Sequence, residues 1–390
     1  MNNNIKMEKN KKRVFLCGML NFPHNSAGAN YIQHLALAYA NLGFEVHIVA
    51  DINDEHPHDY VNRNGLILDA IKISKIKGVR TFDLEYGFLI KTAIILNRYR
   101  ITNKDIIIAY SRKRKLLELI LHIGKDRGAK TGACVVEWYG REDVSSDKEY
   151  ARSEKVFSEI YPKFDFVISI SRYIHDYFLK KGIASVCIPC MADINEFPKE
   201  IKKYSGKRKF IYPANGKMKD ALDQMLNAII NLPQEYLERS EFHFCGIQKE
   251  TAMDLTNERI LHLIETKNVI FHSWLNYEQL VDLYQQMHFL LLMRKKSRMT
   301  MANFPSKVPE TMVYGVTPVC TDVGDYTKTY LENGKSAIIV IDSETDTITT
   351  ALKYAIDLSW ENIKEYNRQS RIVAEKRFDY HNWLKTIDEM

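Results

Sequence analysis

Arg13-Val-Phe-Leu-Cys-Gly18, Met19-Leu-Asn-Phe-Pro-His-Asn-Ser-Ala-Gly28 and, beyond the next sixteen residues, Glu45-Val-His-Ile-Val-Ala50 are the stretch that decides the fold. The first segment reads as a strand and the second as a loop. Ile32, Leu35, Ala36, Tyr39 and Leu42 then recur at spacings of three and four, which predicts a helix over 29–42. Gly43 is a good helix stop, because glycine accepts the left-handed conformation at C′. Residues 45–50 form the next strand. A strand, a helix and a second strand make a βαβ unit, whose natural product is a parallel sheet flanked by helices.

The rhythm continues outward. Further strands are expected over 105–109, 133–136 and 166–170, with a helix over 115–125. The second half repeats it, with strands over 209–212, 242–245, 269–271, 289–293, 318–320 and 337–341. Helices are expected there over 220–231, 278–287, 307–314 and 347–358, with Asn276 as N-cap of the second. A seam lies near 189–205, where Pro198-Lys-Glu-Ile-Lys-Lys-Tyr-Ser205 is polar and aperiodic. The chain therefore reads as α/β, two tandem Rossmann-like doubly wound domains. Such sheets bind ligands at the carboxyl ends of their strands, which puts the expected site in the interdomain cleft.

Composition fits this reading and excludes others. The chain has 390 residues, 45% apolar and 27% charged, a soluble globular mix rather than a disordered or collagen-like one. No run approaches the ~18 apolar residues of a membrane span. The polar, basic N-terminus has no apolar core of a secretory signal. Six scattered cysteines, mostly in strand-like runs, look like buried free thiols in a reducing compartment. Cys187-Ile-Pro-Cys190 lacks the context of a redox or zinc motif. A net charge of +6 suits an acidic small ligand or an anionic membrane surface. Its 55 basic residues are balanced by 49 acidic ones and no recognition module is visible, so no nucleic acid is expected. Arg112-Lys-Arg-Lys115 heads the apolar pattern Leu116-Leu-Glu-Leu-Ile-Leu121. It is either a solvated helix end or a basic amphipathic membrane face. His56-Pro-His58 has no further ligand at metal spacing and reads as loop.

Chemistry concentrates in Leu292-Met-Arg-Lys-Lys-Ser-Arg-Met-Thr-Met-Ala-Asn-Phe-Pro-Ser-Lys-Val-Pro-Glu-Thr-Met-Val-Tyr-Gly315. An apolar strand ends, a basic loop follows, and Ser306 precedes a helix whose early Pro309 is tolerated. Arg294, Lys307 and a helix start make an anion site, and Glu310 one turn in suits a sugar diol. The alternative is a solvated basic loop with Glu310 complementing the helix dipole.

The same segment resembles the signature region of retaining GT-B glycosyltransferases of the group 1 (family 4-like) class. Glu310-Thr-Met-Val-Tyr-Gly315-Val-Thr-Pro318-Val319 follows their Glu-small-Met-x-x-Gly-x-Pro-Val helix, and Phe304-Pro-Ser-Lys307 with Arg294 matches one subgroup. Ser26-Ala-Gly28 resembles the acceptor-side glycine loop. Gly216-Lys217-Met218-Lys219-Asp220 resembles the basic loop that grips the donor diphosphate. Residues 371–380 resemble the closing helix. The implied domains are 1–192 for the acceptor, 193–370 for the nucleotide-sugar donor, and 371–390 as a helix crossing back.

Three departures stand out. The family's other glutamate, eight positions before Glu310, is Ala302, so its role toward the donor sugar is either unfilled or taken by Asn303 or Ser306. Asp220 occupies a glycine position of the basic loop. Glu137, in Val136-Glu-Trp-Tyr-Gly140, stands where a His is common; it either walls the site or caps the core. Trp274 sits where the family approaches the base, or is a domain-edge aromatic.

The resemblance implies a cytoplasmic, metal-independent, hexosyltransferase-like enzyme, possible at the inner face of an anionic membrane. It would move sugar from a UDP- or GDP-linked donor, without cofactor, to a glycan or lipid-linked acceptor, in surface polysaccharide or glycoconjugate synthesis. Lys219, Lys307 and Glu137 are the implied catalytic residues. Gly216, Lys217, Arg294, Asn303, Ser306, Glu310 and Trp274 would bind the donor, and Ser26, Ala27 and Gly28 would face the acceptor. The absence of any Asp-x-Asp favours a site with no metal. A same-fold sugar-nucleotide epimerase, or a silent subunit supporting a partner transferase, is the alternative.

Overall fold

The structure is a computed structural model that describes residues 11–23, 26–52, 64–196, 202–216, 219–272 and 274–390. The chain divides into two compact units. The first comprises Met1–Val136, Ser146–Ile188 and Tyr380–Met390; the second comprises Glu137–Ser145 and Pro189–Asp379.

The first unit is built on β1 (Arg13–Phe22), β2 (Glu45–Ile52), β3 (Ile67–Ile71), β4 (Ile106–Tyr110), β5 (Lys130–Val135), β6 (Phe166–Ser169) and β7 (Ser185–Cys187). They form one parallel sheet in the order β3-β2-β1-β4-β5-β6-β7. The order reverses between β1 and β4, the kind of switch point where such sheets open a crevice at their carboxyl end. Strand β1 is near-continuously apolar because helices cover both faces; Val14, Phe15, Leu16 and Cys17 are fully buried.

Strand β1 also runs past the loop expected from Met19. Its pairing to β2 breaks after Gly18 and resumes at Phe22 opposite Ile52. Between them the Asp51 carboxylate accepts the Leu20 and Asn21 N–H groups at 2.6 and 3.0 Å. A side chain thus takes over the ladder's hydrogen bonds. The helix after it spans Ala27–Asn41 and opens at Ser26, whose hydroxyl accepts the Ala29 N–H at 2.9 Å. At the other end of the chain, Tyr380 returns to this helix and accepts a hydrogen bond from Asn41 at 3.2 Å.

The second unit has β8 (Arg208–Pro213), β9 (Ser240–Cys245), β10 (Val269–His272), β11 (Phe289–Leu292), β12 (Thr317–Thr321) and β13 (Ile338–Val340). Their order is β10-β9-β8-β11-β12-β13, all parallel. The reversal lies between β8 and β11. Phe210 stacks on Phe242 and on Phe289, each at 4.9 Å between ring centres, and ties the three central strands together. Every strand expected in this half is present. Asn276 caps the Tyr277–Tyr284 helix, accepting the Gln279 N–H at 2.9 Å.

Three segments group differently from the expected boundaries: 137–145; 189–192, which join the second unit rather than the expected 1–192 domain; and 371–379. Residues 137–145 belong to the second unit, although β5 just before them belongs to the first. Only 380–390 groups with the first unit. Residues 371–379 stay with the second, where Arg371 donates to the Val313 carbonyl and Phe378 accepts the Ala192 N–H at 2.8 Å. Several structured pieces were not expected, among them strand β3, the helical run from Lys77 to Arg98, and the short Arg298–Ala302 helix inside the supposed basic loop. Among the described residues no helix is long and apolar enough to cross a membrane.

Candidate functional site

The loops that follow β8 and β11 leave the sheet at its switch point and are fastened to each other. Ala221 N–H donates to the Met293 carbonyl at 2.8 Å, and Asp220 and Arg294 form a bridge beside it. Gly216 turns the first loop with φ +67°, and a Cβ there would overlap Leu222. Only glycine suits both demands.

Asp220 is the hub. Its carboxylate accepts the Tyr212 hydroxyl at 2.5 Å and faces Arg294 Nε at 3.4 Å, with both side chains a tenth exposed or less. The Arg294 guanidinium donates to Asn303 Oδ1 at 3.0 Å, and its backbone N–H donates to Thr321 Oγ1 at 2.8 Å. Tyr212, Asp220, Arg294 and Asn303 therefore make one buried polar chain from the end of β8 across to the Arg298–Ala302 helix. Burial, with Asp220 alongside, pushes the Tyr212 hydroxyl far above its ordinary pKa, so it stays a donor. Asp220 is thus what holds Arg294.

The Arg298–Ala302 helix opens on Ser297, which accepts the Thr300 N–H. Segment 137–145 straps its first turn. Glu142 accepts the Arg298 N–H and Asp143 the Met299 N–H, each at 3.0 Å. Arg298 in turn donates to the Tyr139 carbonyl at 2.8 Å and lies over the Trp138 ring at 4.8 Å. The backbone bond holds the Glu142 carboxyl below its usual range. Acidic side chains on unpaired N–H groups are the ordinary way to satisfy a helix start. Ala302 is fully buried on this helix.

The next helix is Lys307–Met312, shorter than the expected 307–314. At six residues its dipole is slight, and the cationic side chains carry the field. Ser306 has helical backbone angles and its hydroxyl makes no capping bond. Lys307 Nζ pairs with Glu310 Oε2 at 2.6 Å, both partly buried. Lys219 pairs with Glu137, whose other oxygen accepts the Tyr139 hydroxyl at 2.6 Å. Glu137 therefore joins the second unit's polar cluster rather than capping a core. Cys190 is buried in the same unit, with Sγ 3.8 Å from the Phe304 carbonyl. Burial pushes its thiol well up and Glu310 adds to this, while Arg294, Lys307 and Lys219 pull it back. All six cysteines are free, as expected.

Trp274 is 79% exposed and lines, with Ile247, Phe271 and His272, an open pocket of about 400 Å³ beyond the ends of β9 and β10. Lys217 lies outside the described residues, as do His56 and His58. Ser26, Ala27 and Gly28 are in the first unit, at the end of β1. Ser26 also donates to the Leu20 carbonyl at 2.7 Å, so its hydroxyl is committed to the loop. Gly28 has Tyr110 against it, leaving no room for a Cβ. The structure brings together Lys219, Glu137, Arg294, Asn303, Lys307 and Glu310. Tyr212, Asp220, Glu142 and Asp143 escaped sequence reasoning. For Asp220 the available signal was its own departure from glycine beside two lysines.

This architecture, two Rossmann-like domains with parallel sheets, is that of the GT-B fold. Anabaena HepE, solved in complex with UDP and glucose, aligns with a TM-score of 0.71 at 12% identity, over 97% of this chain and 98% of that one. Sucrose-phosphate synthase from Thermosynechococcus elongatus gives 0.70 at 13% identity, over 97% and 98%. An E. coli protein described as trehalose-6-phosphate, bound with UDP-2-fluoro glucose, gives 0.68 at 11%, over 97% and 98%. No curated protein matches the chain. Residues 193–373, just under half of the chain, match the family model for glycosyl transferases group 1. The matched residues all lie within the second unit.

Proposed function

We propose that the protein is a retaining glycosyltransferase that works without metal, taking a UDP- or GDP-linked sugar as donor and a glycan or lipid-linked molecule as acceptor. The observation that carries this reading is the set of three ion pairs, Arg294 with Asp220, Lys307 with Glu310 and Lys219 with Glu137, in the second unit, whose sheet has its switch point between β8 and β11. The UDP held by Anabaena HepE makes a uridine donor the first to try.

In the reaction, the bond between the anomeric carbon and the diphosphate oxygen breaks, and its electron pair stays with the diphosphate. The acceptor hydroxyl oxygen bonds to the same face of that carbon, and its proton passes to the departing diphosphate oxygen. Negative charge grows on the diphosphate as this happens, so cations already fixed there favour the transition state over the bound donor. Arg294, held by Asp220, and Lys307 and Lys219, held by Glu310 and Glu137, are such cations. Lys217 is assigned to the same loop. Gly216 lets backbone approach the phosphates. Glu310 accepts from the ribose hydroxyls, Asn303 and Ser306 face the donor sugar, and the Trp274 pocket takes the base. Glu137 is a positioning residue acting through Lys219. Ser26, Ala27 and Gly28 shape the acceptor side.

The test is donor turnover by the isolated chain in EDTA, with the anomeric configuration of the new linkage read by NMR. Retained configuration without metal is expected. Inversion, or strict dependence on Mg²⁺ or Mn²⁺, overturns the reading, and binding without turnover points to a silent subunit.

A further inference from the structure

The helical run Lys77–Arg98 in the first unit has two apolar faces, and only one is used. Phe88, Thr92, Ile95 and Leu96 are buried against the sheet. On the outward side Ile76, Val79, Phe82, Tyr86, Ile90 and Ile94 recur at spacings of three and four, and each is 44–70% exposed. Scattered exposed hydrophobes are normal on protein surfaces, but an aligned row of six is a patch, and such patches mark interaction sites. The buried side fixes the run's rotation, so the row cannot turn inward.

Charge says what covers it. Residues 72–100 contain seven Lys or Arg and two acidic residues. One of these acids, Asp83, is buried and taken up by the Ser74 N–H at 2.8 Å and by Lys91 at 3.4 Å. The basic segment 112–115 is joined to the same surface. Lys115 Nζ stands 4.0 Å above the Tyr86 ring centre, and Lys113 donates to the Leu84 carbonyl at 3.0 Å. All four of its basic residues are exposed. An apolar stripe with a basic rim is the pattern of a helix lying in the interface of an anionic bilayer. A protein partner would have to match that rim with acidic groups as well; a bilayer supplies both elements at once.

We propose that the first unit docks on anionic lipid through this stripe and the 112–115 cluster. The stripe's leading end and the cluster follow the carboxyl ends of β3 and β4. That is the sheet end where the Ser26–Gly28 loop also lies, which suits a lipid-linked acceptor. Docking itself does not depend on the donor site, and the two readings fail separately.

Co-sedimentation of the full chain with vesicles of phosphatidylcholine, alone or mixed with phosphatidylglycerol, tests it. Binding is expected only to the mixed vesicles, and weaker at high salt. Phe82→Ser with Ile90→Ser should lower it at least tenfold, because both side chains are exposed and their loss leaves the core intact. Lys77→Glu with Arg80→Glu should lower it as much or more, since each cation near an anionic leaflet is worth roughly a fivefold change. Circular dichroism confirms that the variants fold. Equal binding to neutral vesicles, no binding, or binding unchanged in the Phe82/Ile90 variant overturns the proposal. So does a dimer that this variant dissociates, because the stripe then covers a second copy. UDP affinity, measured on the same preparations, should not move.

Discussion

The two switch points differ in what they hold. At the end of β8 and β11, six charged side chains, Glu137, Lys219, Asp220, Arg294, Lys307 and Glu310, are partly or fully buried and each is paired. At the end of β1 and β4, Gly28 lies against Tyr110 and the Ser26 hydroxyl serves its own loop. The topology is the same and the chemistry is not. A parallel doubly wound sheet supplies a crevice, and the residues on its loops decide whether the crevice is ionic or merely packed. The difference also has a cost. Buried charges need every partner, so the second unit's site should be the more fragile under substitution.

The strongest way to break the comparison is Asp220→Ala. It strands Arg294 next to a vacated carboxylate, and removing one partner of a buried ion pair costs roughly 3–5 kcal/mol. Thermal denaturation should show the second unit melting earlier, with nucleotide binding lost. A melting point like that of the unaltered chain would mean that the buried chain from Tyr212 to Asn303 does not hold the site.

Acid should also act on the second unit first. His288 accepts the Lys209 N–H on Nδ1 at 2.9 Å and meets the Lys203 carbonyl from Nε2 at 3.0 Å, which fixes the neutral ring. Burial drives its pKa down to about 4 from 6.5. The unfolded chain therefore binds this proton between those values while the folded chain does not. Stability is fully present above about pH 6.5 and falls as pH drops towards 4, by about 3 kcal/mol. Denaturant titrations across that range, with and without His288→Gln, measure it; the variant should flatten the slope.

Glu310→Gln sharpens the comparison by keeping shape and removing charge. Charge-assisted hydrogen bonds are worth about 1.5–3 kcal/mol, so UDP or GDP affinity should fall about ten- to a hundredfold. Lys307→Ala should lower kcat more than affinity, because its partner charge grows in the transition state. The smallest effect belongs to the first unit. Ser26→Ala removes a helix cap and should cost about 1 kcal/mol of stability, with nucleotide affinity unchanged.

What the sequence showed depended on contrast. Strands such as Phe289–Leu292 and Thr317–Thr321 are buried along their whole length and stood out from their flanks. Strand β3, Ile-Leu-Asp-Ala-Ile at the sheet edge, is mostly half-exposed and carries no such signal. The Lys77–Arg98 run was hidden because its two apolar faces blur the helical period. At the site, Arg294, Lys307 and Glu310 were legible from type and spacing. Segment 137–145 was not, because Glu142 and Asp143 meet the 298–302 helix across more than 150 residues of chain. No local pattern encodes such a contact.

The central claim is that the charged cluster after β8 and β11 is a nucleotide-diphosphate site needing no metal. Calorimetric titration of UDP and GDP in EDTA, on the unaltered chain and on Glu310→Gln, tests it most directly. The account predicts saturable binding of at least one nucleotide in EDTA and a ten- to hundredfold weaker Kd in the variant. Binding that appears only with Mg²⁺ or Mn²⁺, or an equal Kd for the two proteins, would contradict it.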